Sequence, residues 1–268
     1  MNLTNNRVLV TGATGGIGRG VALALAKKGA ILLLVGRNQG KLEALCAEIN
    51  TAGGRAFATP CDLAQAGATE ELARQARAKL GEVDVLVNCA GMQNFDQFAA
   101  ESAQELEKLW RTNVLAPMLL TRALLPSMIA QAHGRIVNVG SIFGSIGFAC
   151  FASYSASKFA MRGFSEALRR ELEGSGVGVT YVAPRYTRTA LNEGAVSRMA
   201  AAVKMNTDEP DWVAERIVRA IEQDRKDYYL GWPEALFVRI NAILPRLVDI
   251  ALRRQNVQMR EFATQSIK

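Results

Sequence analysis

The sequence predicts an α/β fold in which a parallel sheet is covered by helices on both faces. Short apolar runs alternate with longer amphipathic stretches along most of the 268 residues, as in repeated strand–helix units. Several runs are almost entirely apolar, which indicates strands that meet water on neither face. Right-handed crossovers between such units place successive strands in one sheet.

This alternation predicts seven strands and six helices. The strands are 7–11, 30–36, 55–59, 83–88, 135–139, 177–183 and 227–230. The helices are 16–28, 40–51, 69–80, 102–131, 154–173 and 211–223. Thr207 and Asp208 are expected to cap the last helix, and Pro210 fits its first turn. Residues 1–232 are predicted to form one domain, with 233–268 as its C-terminal helical extension.

Composition excludes several classes of protein. Hydrophobic residues make up 49% of the chain and charged residues 21%, which excludes a disordered chain. The net charge of +7 is not concentrated in one basic run, so we expect no nucleic-acid partner. Four cysteines without CxxC spacing and one histidine predict no metal site. The polar start and short first apolar run predict no signal peptide and therefore a cytoplasmic protein.

A glycine-rich turn follows the first predicted strand and opens the first predicted helix. Glycine permits a tight turn and lets the backbone approach a pyrophosphate, whose charge the helix N-terminus stabilises. The strand–turn–helix context is what such a motif requires. We therefore predict dinucleotide contacts at Gly12, Thr14, Gly15, Gly16, Ile17 and Gly18.

Together with Ser141 and the motif from Tyr154 to Lys158, the TGxxxGxG spacing of this turn resembles the short-chain dehydrogenase/reductase family. The resemblance runs from Thr11 to about Leu230. It implies a Rossmann-type doubly wound sheet of about seven parallel strands in the order 3-2-1-4-5-6-7. It also implies a nicotinamide cofactor and a homodimer or homotetramer.

Tyr154 and Lys158 lie one helical turn apart and so share one face. A free tyrosine has a pKa near ~10, too high for proton exchange at neutral pH. We expect the Lys158 ammonium and the positive nicotinamide ring to lower the pKa of Tyr154. Tyr154 would then donate a proton to a carbonyl oxygen, to which Ser141 also hydrogen-bonds. Both residues are thus predicted to be catalytic and to bind substrate, while Lys158 also holds the nicotinamide ribose.

The end of the second strand favours NADP(H) over NAD. NAD sites usually place an acidic residue here for the ribose 2′-hydroxyl, but residues 31–42 contain none. Arg37 could bind a 2′-phosphate through both arms of its guanidinium. A solvated arginine at a strand end is the alternative interpretation.

The resemblance implies further site residues. Asn113 matches the family's fourth catalytic residue, which holds a water that relays protons to Lys158. The remaining cofactor contacts implied are Asp62, Leu63, Asn88, Ala90, Gly91, Tyr154, Lys158, Pro184, Thr187 and Thr189. Arg185 replaces a family glycine. It is expected to point away from the nicotinamide or to reshape the substrate entrance; with Arg188 it forms either an anion-attracting pair or a plain surface pair.

Two segments bear on the substrate. Residues 190–206 are expected to form a mobile helical lid with an apolar inner face, which favours a hydrophobic substrate. Residues 234–254 contain 13 apolar residues in 21, interrupted by arginine and Pro245. Three interpretations stay open for this tail: packing on the subunit or an oligomer partner, lining a pocket for a long chain, or lying on a membrane surface.

The sequence therefore predicts an NADP(H)-dependent oxidoreductase that interconverts a carbonyl and an alcohol on a lipid-like substrate, such as an acyl chain or a sterol-like alcohol. Two alternatives belong to other classes. One is an NADP(H)-binding sensor or scaffold without catalysis, and the other is a membrane-surface interaction protein that acts through its tail.

Overall fold

A seven-stranded parallel sheet forms the centre of the computed structural model, which describes residues 1–264. The strand order β3-β2-β1-β4-β5-β6-β7 confirms the order implied by the family resemblance. The strands are β1 Arg7–Thr11, β2 Ile31–Gly36, β3 Arg55–Pro60, β4 Val85–Asn88, β5 Gly134–Val139, β6 Val177–Ala183 and β7 Asp227–Tyr229. Each observed boundary lies within two residues of the predicted one, the usual uncertainty of element ends.

Ten α-helices accompany the sheet within residues 1–264. They are α1 Gly16–Lys27, α2 Gln39–Thr51, α3 Ala68–Leu80, α4 Ala103–Trp110, α5 Ala116–Ala130, α6 Ala152–Glu171, α7 Ala195–Ala202, α8 Pro210–Glu222, α9 Glu234–Ile243 and α10 Pro245–Thr264. The single helix predicted over 102–131 is divided by a π-helical turn, Arg111–Leu115.

Side chains of the inner strands alternate between two helical layers, because successive residues of a strand point to opposite faces. In β1, Val8 and Val10 pack with α1, α2 and α8. Leu9 between them packs with α3, α5 and α6 on the other face. All three side chains are fully buried, and each burial contributes about 1.5–3 kcal/mol. Continuous apolar strands are thus the direct result of two covered faces.

The apolar stretch Ala103–Ala130 also belongs to this core. Its length, and a mean hydropathy of 1.3 over a window of 18 of its residues, would suffice to cross a membrane. However, Leu120, Leu124 and Met128 are buried in the layer that α5 forms with α3 and α6. Because these side chains are already covered by protein, we interpret the segment as a core helix.

The capping expected for α8 is wrong. Its N-cap residue is Glu209, whose side chain makes no capping hydrogen bond, while Pro210 occupies the first turn as predicted. The carboxylate of Asp208 accepts hydrogen bonds from the Arg185 guanidinium at 2.8 and 3.0 Å instead. A long-range ion pair therefore replaces the local cap.

The tail forms α9 and α10, and α10 packs on the subunit with one face. Val248 joins a buried cluster with Ile142 and Tyr181. Met259 is fully buried in a second cluster that contains Tyr154. The inner face of α10 is therefore part of the surroundings of the predicted catalytic residue.

Candidate active site

A cavity of about 450 Å³ opens at the carboxyl ends of the strands, between β1 and β4. At this point the strand order changes direction, because β2 and β3 follow β1 on one side of the sheet and β4 to β7 follow on the other. This switch point is the usual ligand position in doubly wound sheets. The predicted cofactor contacts that line the cavity are Gly12, Thr14, Gly15, Gly16, Ile17, Gly18, Arg37, Asp62, Leu63, Ala90, Gly91, Tyr154, Lys158 and Thr189.

Three other predicted cofactor contacts are not among the residues that line the cavity. The Asn88 amide donates to Asn138 Oδ1 at 2.9 Å in the core. Pro184 accepts a backbone hydrogen bond from Ile142, and the buried Thr187 hydroxyl donates to the carbonyl of Arg185. These groups are engaged within the protein, and the direct contact of Asn88, Pro184 and Thr187 with a cofactor stays a prediction.

The turn after β1 fits a dinucleotide. Gly12 has a φ of +68°, and a Cβ on it would lie 2.7 Å from Ala90 Cα. A Cβ on Gly18 would lie 2.1 Å from the carbonyl oxygen of Gly12. Only glycine permits this approach, which places the free N–H groups of the first turn of α1 beside the cavity. That turn contains no acidic residue, so the positive end of the helix dipole is available to a pyrophosphate.

The hydroxyl of Thr11 joins the two strands that border the cavity. Its oxygen accepts hydrogen bonds from the backbone N–H groups of Cys89 at 3.1 Å and Ala90 at 3.2 Å. It also lies within hydrogen-bond distance of the Val87 carbonyl, to which it donates. This buried side chain fixes the segment after β4 against the glycine-rich turn.

Arg37 is exposed on the rim of the cavity, as its place at the end of β2 predicts. No hydrogen bond or ion pair occupies its guanidinium within residues 1–264. The arginine can therefore meet an anionic group without first breaking an interaction.

Tyr154 stands between this cavity and a smaller one of about 50 Å³. Within the described chain it is the one residue that lines both. The smaller cavity also has Ser141, Phe143 and Phe151 in its wall. The rings of Phe143 and Phe151 meet the Tyr154 ring edge-on, with centroids 5.9 and 6.3 Å away, and hold the phenol in place.

Burial raises the pKa of Tyr154 to about 12, and a hydrogen bond with the Ser141 hydroxyl opposes this increase. The expected lowering of the Tyr154 pKa is wrong for this geometry, because burial dominates although Lys158 Nζ lies 5.6 Å from the ring centroid. The contribution expected from the nicotinamide ring stays a prediction. The same burial lowers the pKa of Lys158 to about 8. At neutral pH Tyr154 is therefore a neutral phenol that can donate its proton.

Asn113 is buried within the π-helical turn, a type of distortion that is frequent at functional sites. Its amide nitrogen donates to the Met92 carbonyl at 2.8 Å and to Ser157 Oγ at 3.0 Å. A Cβ on Gly91 would lie 3.6 Å from both Asn113 Oδ1 and Lys158 Nζ. The two side chains thus face the same small region, while the water predicted between them stays a prediction.

Tyr181 supports the site from behind, although no sequence signal marks it. The side chain is fully buried, and its hydroxyl donates to the Ser141 carbonyl at 3.2 Å. A Cβ on Gly140 would lie 2.3 Å from this ring, so the missing side chain makes the contact possible. Tyrosine is ordinary in strands, which is why β6 alone did not indicate this role.

The predicted lid has the expected apolar inner face. Val196 and Met199 of α7 are buried in the cluster around Tyr154. Gln93, which sequence analysis missed, fastens the start of the lid to the segment after β4. Its side-chain nitrogen donates to the Leu191 carbonyl at 2.7 Å and to Asn192 Oδ1 at 2.8 Å.

Arg185 is not a surface partner of Arg188. It lines the smaller cavity and forms ion pairs with Asp208 at 2.8 Å and Glu234 at 2.9 Å. Arg188 is 73% exposed and pairs with Glu209 at 3.4 Å. Two carboxylates neutralise the charge of Arg185 beside the smaller cavity, which contradicts both interpretations that paired it with Arg188. Its effect on the nicotinamide or the substrate entrance stays a prediction.

Comparisons with known proteins agree with this geometry. The family model described as short chain dehydrogenase matches residues 6–200. The ketoacyl reductase HetN of a Nostoc species is 39% identical over 221 residues, covering 82% of this chain and 76% of the relative. Human epidermal retinol dehydrogenase 2 is 33% identical over 240 residues, covering 88% of this chain and 76% of the relative.

A solved metagenomic short-chain oxidoreductase in complex with NADP is 32% identical to this chain. The similarity covers 86% of this chain and 96% of the solved one, with a TM-score of 0.72. Sequence family, strand order and site geometry all lead to one conclusion: the chain belongs to the short-chain dehydrogenase/reductase family of oxidoreductases.

Proposed function

We propose that this protein is an NADP(H)-dependent oxidoreductase that interconverts a carbonyl and an alcohol on a hydrophobic substrate. The observation that carries the proposal is the position of Tyr154, between the dinucleotide cavity and an aromatic pocket. A proton donor at this junction can reach an oxygen whose carbon faces the larger cavity.

A nicotinamide held in the larger cavity beside Tyr154 and Lys158 would supply or accept the hydride. In the direction of reduction, Tyr154 donates its phenolic proton to the substrate oxygen, since its pKa of about 12 keeps it protonated. Ser141 hydrogen-bonds the same oxygen and stabilises the charge that develops on it. The Lys158 ammonium then stabilises the phenolate left behind, 5.6 Å from the ring centre.

Replacing Tyr154 tests this role. We expect Tyr154→Phe to lower kcat roughly 10²–10⁴-fold, because general acid catalysis is lost, while NADPH binding is retained. Turnover on a panel of carbonyl compounds and NADPH fluorescence measure the two properties. Tyr228→Phe is the matched control, because it removes the same hydroxyl group from a ring that packs on Arg225. Substantial turnover by Tyr154→Phe would contradict the role, and firm NADPH binding by the wild type without turnover on any substrate would favour a sensor.

The preference for NADP(H) is supported by the unpaired Arg37 on the cavity rim and by the NADP bound to a solved relative. Competition between NADPH and NADH, followed by cofactor fluorescence, tests it. We expect Arg37→Asp to weaken NADPH binding and to improve the relative affinity for NADH, because a carboxylate repels the 2′-phosphate and accepts from the 2′-hydroxyl. Tighter binding of NADH than of NADPH by the wild type would contradict the preference.

The hydrophobic substrate is supported by the apolar part of the lining of the smaller cavity, which also contains polar residues such as Gln93 and Asn192. Phe143, Phe151 and Met199 contribute apolar surface beside Tyr154. The names of two relatives, a ketoacyl reductase and a retinol dehydrogenase, point to substrates with apolar chains. Measuring kcat/KM over ketones of increasing chain length tests this. We expect kcat/KM to rise with each methylene group that the pocket buries. A constant kcat/KM over the series would contradict a hydrophobic substrate.

A further inference from the structure

The outer surface of the tail concentrates exposed apolar side chains. Of the seventeen large hydrophobic side chains exposed within the described chain, eight come from residues 232–257. We call these eight side chains the α9–α10 face: Trp232, Leu236, Phe237, Ile243, Leu244, Leu247, Ile250 and Val257. Monomeric soluble proteins rarely expose such a cluster unless it meets a partner or a membrane.

Helix α10 has two apolar faces, and only one of them is covered by the subunit. Its inner side chains pack on the rest of the subunit, with Val248 and Met259 buried. Its outer side chains Leu247, Ile250 and Val257 follow helical spacing and are 55–59% exposed. Ile243, at the corner where α9 meets α10, is 77% exposed. The fold of the subunit therefore does not account for the outer stripe.

Positive charge accompanies this apolar surface. From Ala235 to Arg260 the chain contains five arginines and a single acidic residue, Asp249. Arg239, Arg253 and Arg254 are exposed. Arg246 is 94% exposed, and its distance of 3.8 Å to Asp249 is at the limit of an ion pair. Apolar side chains beside guanidinium groups match a bilayer with anionic headgroups above its acyl chains.

We propose that the α9–α10 face docks this protein onto anionic membrane surfaces. A second copy of the chain is the less favourable occupant, because a symmetric contact places each patch opposite itself. The arginines of one copy would then face those of the other, whereas an anionic bilayer neutralises them. The inference does not depend on the proposed substrate, since docking requires no turnover.

Vesicle flotation of the full chain tests the apolar contribution. We expect the wild type to float with vesicles of phosphatidylcholine and phosphatidylserine in equal parts, and much less with phosphatidylcholine alone. Leu247→Gln with Ile250→Gln should weaken binding at least about tenfold, because two buried apolar side chains are lost. Phe57→Gln with Ile129→Gln is the matched control, since these side chains are 44% and 43% exposed and lie on β3 and α5, outside the tail. Deleting α10 would be uninformative, because its inner face packs around Tyr154.

The charge contribution has its own matched pair. Arg246→Gln with Arg253→Gln should weaken partitioning onto the anionic vesicles roughly 30-fold, from two charges removed near the surface. Arg74→Gln with Arg170→Gln removes two exposed charges elsewhere and should have little effect. Absence of flotation, equal flotation on both vesicle types, or equal loss in the control pairs would overturn the proposal. So would a stable dimer, seen by light scattering, that Leu247→Gln with Ile250→Gln dissociates.

Discussion

At the scale of single residues, the proton chemistry depends on how deeply two groups are buried. Tyr154 is held as a neutral phenol by its aromatic surroundings, with its pKa raised to about 12. Lys158 loses affinity for its proton for the same reason, with its pKa lowered to about 8. Of the two, Lys158 is the group that titrates closer to physiological pH.

We therefore expect kcat/KM for carbonyl reduction to fall above about pH 8. Below this pH Lys158 carries the charge that stabilises the developing Tyr154 phenolate; above it that charge is lost. Initial rates from pH 6 to 10 at saturating NADPH measure the profile, with circular dichroism as the control for folding. Lys158→Arg keeps its charge over this range, so its remaining activity should lack the decline. If kcat/KM of Lys158→Arg declined with the same midpoint, the decline would have to come from the titration of another group.

At the scale of elements, the glycine-rich turn shows how one local geometry serves both fold and site. The turn brings the carbonyl of Gly12 against Gly18 and so begins α1 beside the cavity. The π-helical turn after α4 works in a similar way, because it carries Asn113 towards Met92 and Ser157. Both distortions lie at element ends next to the cavity rather than within the packed layers.

Gly18→Ala should lower the free energy of unfolding by about 1–3 kcal/mol, because its Cβ would overlap the Gly12 carbonyl. NADPH binding should weaken at the same time, since the turn must open. Gly163→Ala is the matched control: it is exposed within α6, and its Cβ would meet nothing within 4 Å. That substitution should stabilise by about 0.5–1 kcal/mol. Urea denaturation measures both, and similar effects of the two variants would contradict the close approach.

At the scale of the whole molecule, Arg185 connects three distant segments beside the smaller cavity. Its guanidinium pairs with Asp208 before α8 and with Glu234 at the start of α9. The base of the lid and the tail are thereby fixed to the end of β6. Because α10 also packs around Tyr154, the tail and the proposed catalytic residue belong to one packed unit.

Arg185→Met should lower the free energy of unfolding by roughly 3 kcal/mol, since it leaves the buried Asp208 carboxylate without its partner. The same change should raise KM for the carbonyl substrate, because Arg185 lines its cavity. Arg188→Met, at an exposed ion pair, should stay within about 0.5 kcal/mol of the wild type. Urea denaturation and steady-state kinetics compare the two, and equal effects would exclude a special role for Arg185.

The sequence by itself determined the strands and the position of the glycine-rich turn at the cavity, while the strand order came from the resemblance to the family. Apolar strands such as β1 are recognisable because both faces are covered, and the spacing of glycines reflects a backbone approach that side chains would block. The same local information placed Tyr154 and Lys158 on one helix face.

Only the tertiary structure decided the electrostatics and the long-range pairs. The direction of the Tyr154 pKa shift depends on burial in a cluster that contains residues distant in sequence, such as Met199 and Met259, which a spacing of four residues cannot reveal. The partner of Arg185 depends on which carboxylates the folded chain brings near it. Local patterns determine backbone geometry because it is set by neighbours along the chain, whereas burial and ion pairing are set by neighbours in space.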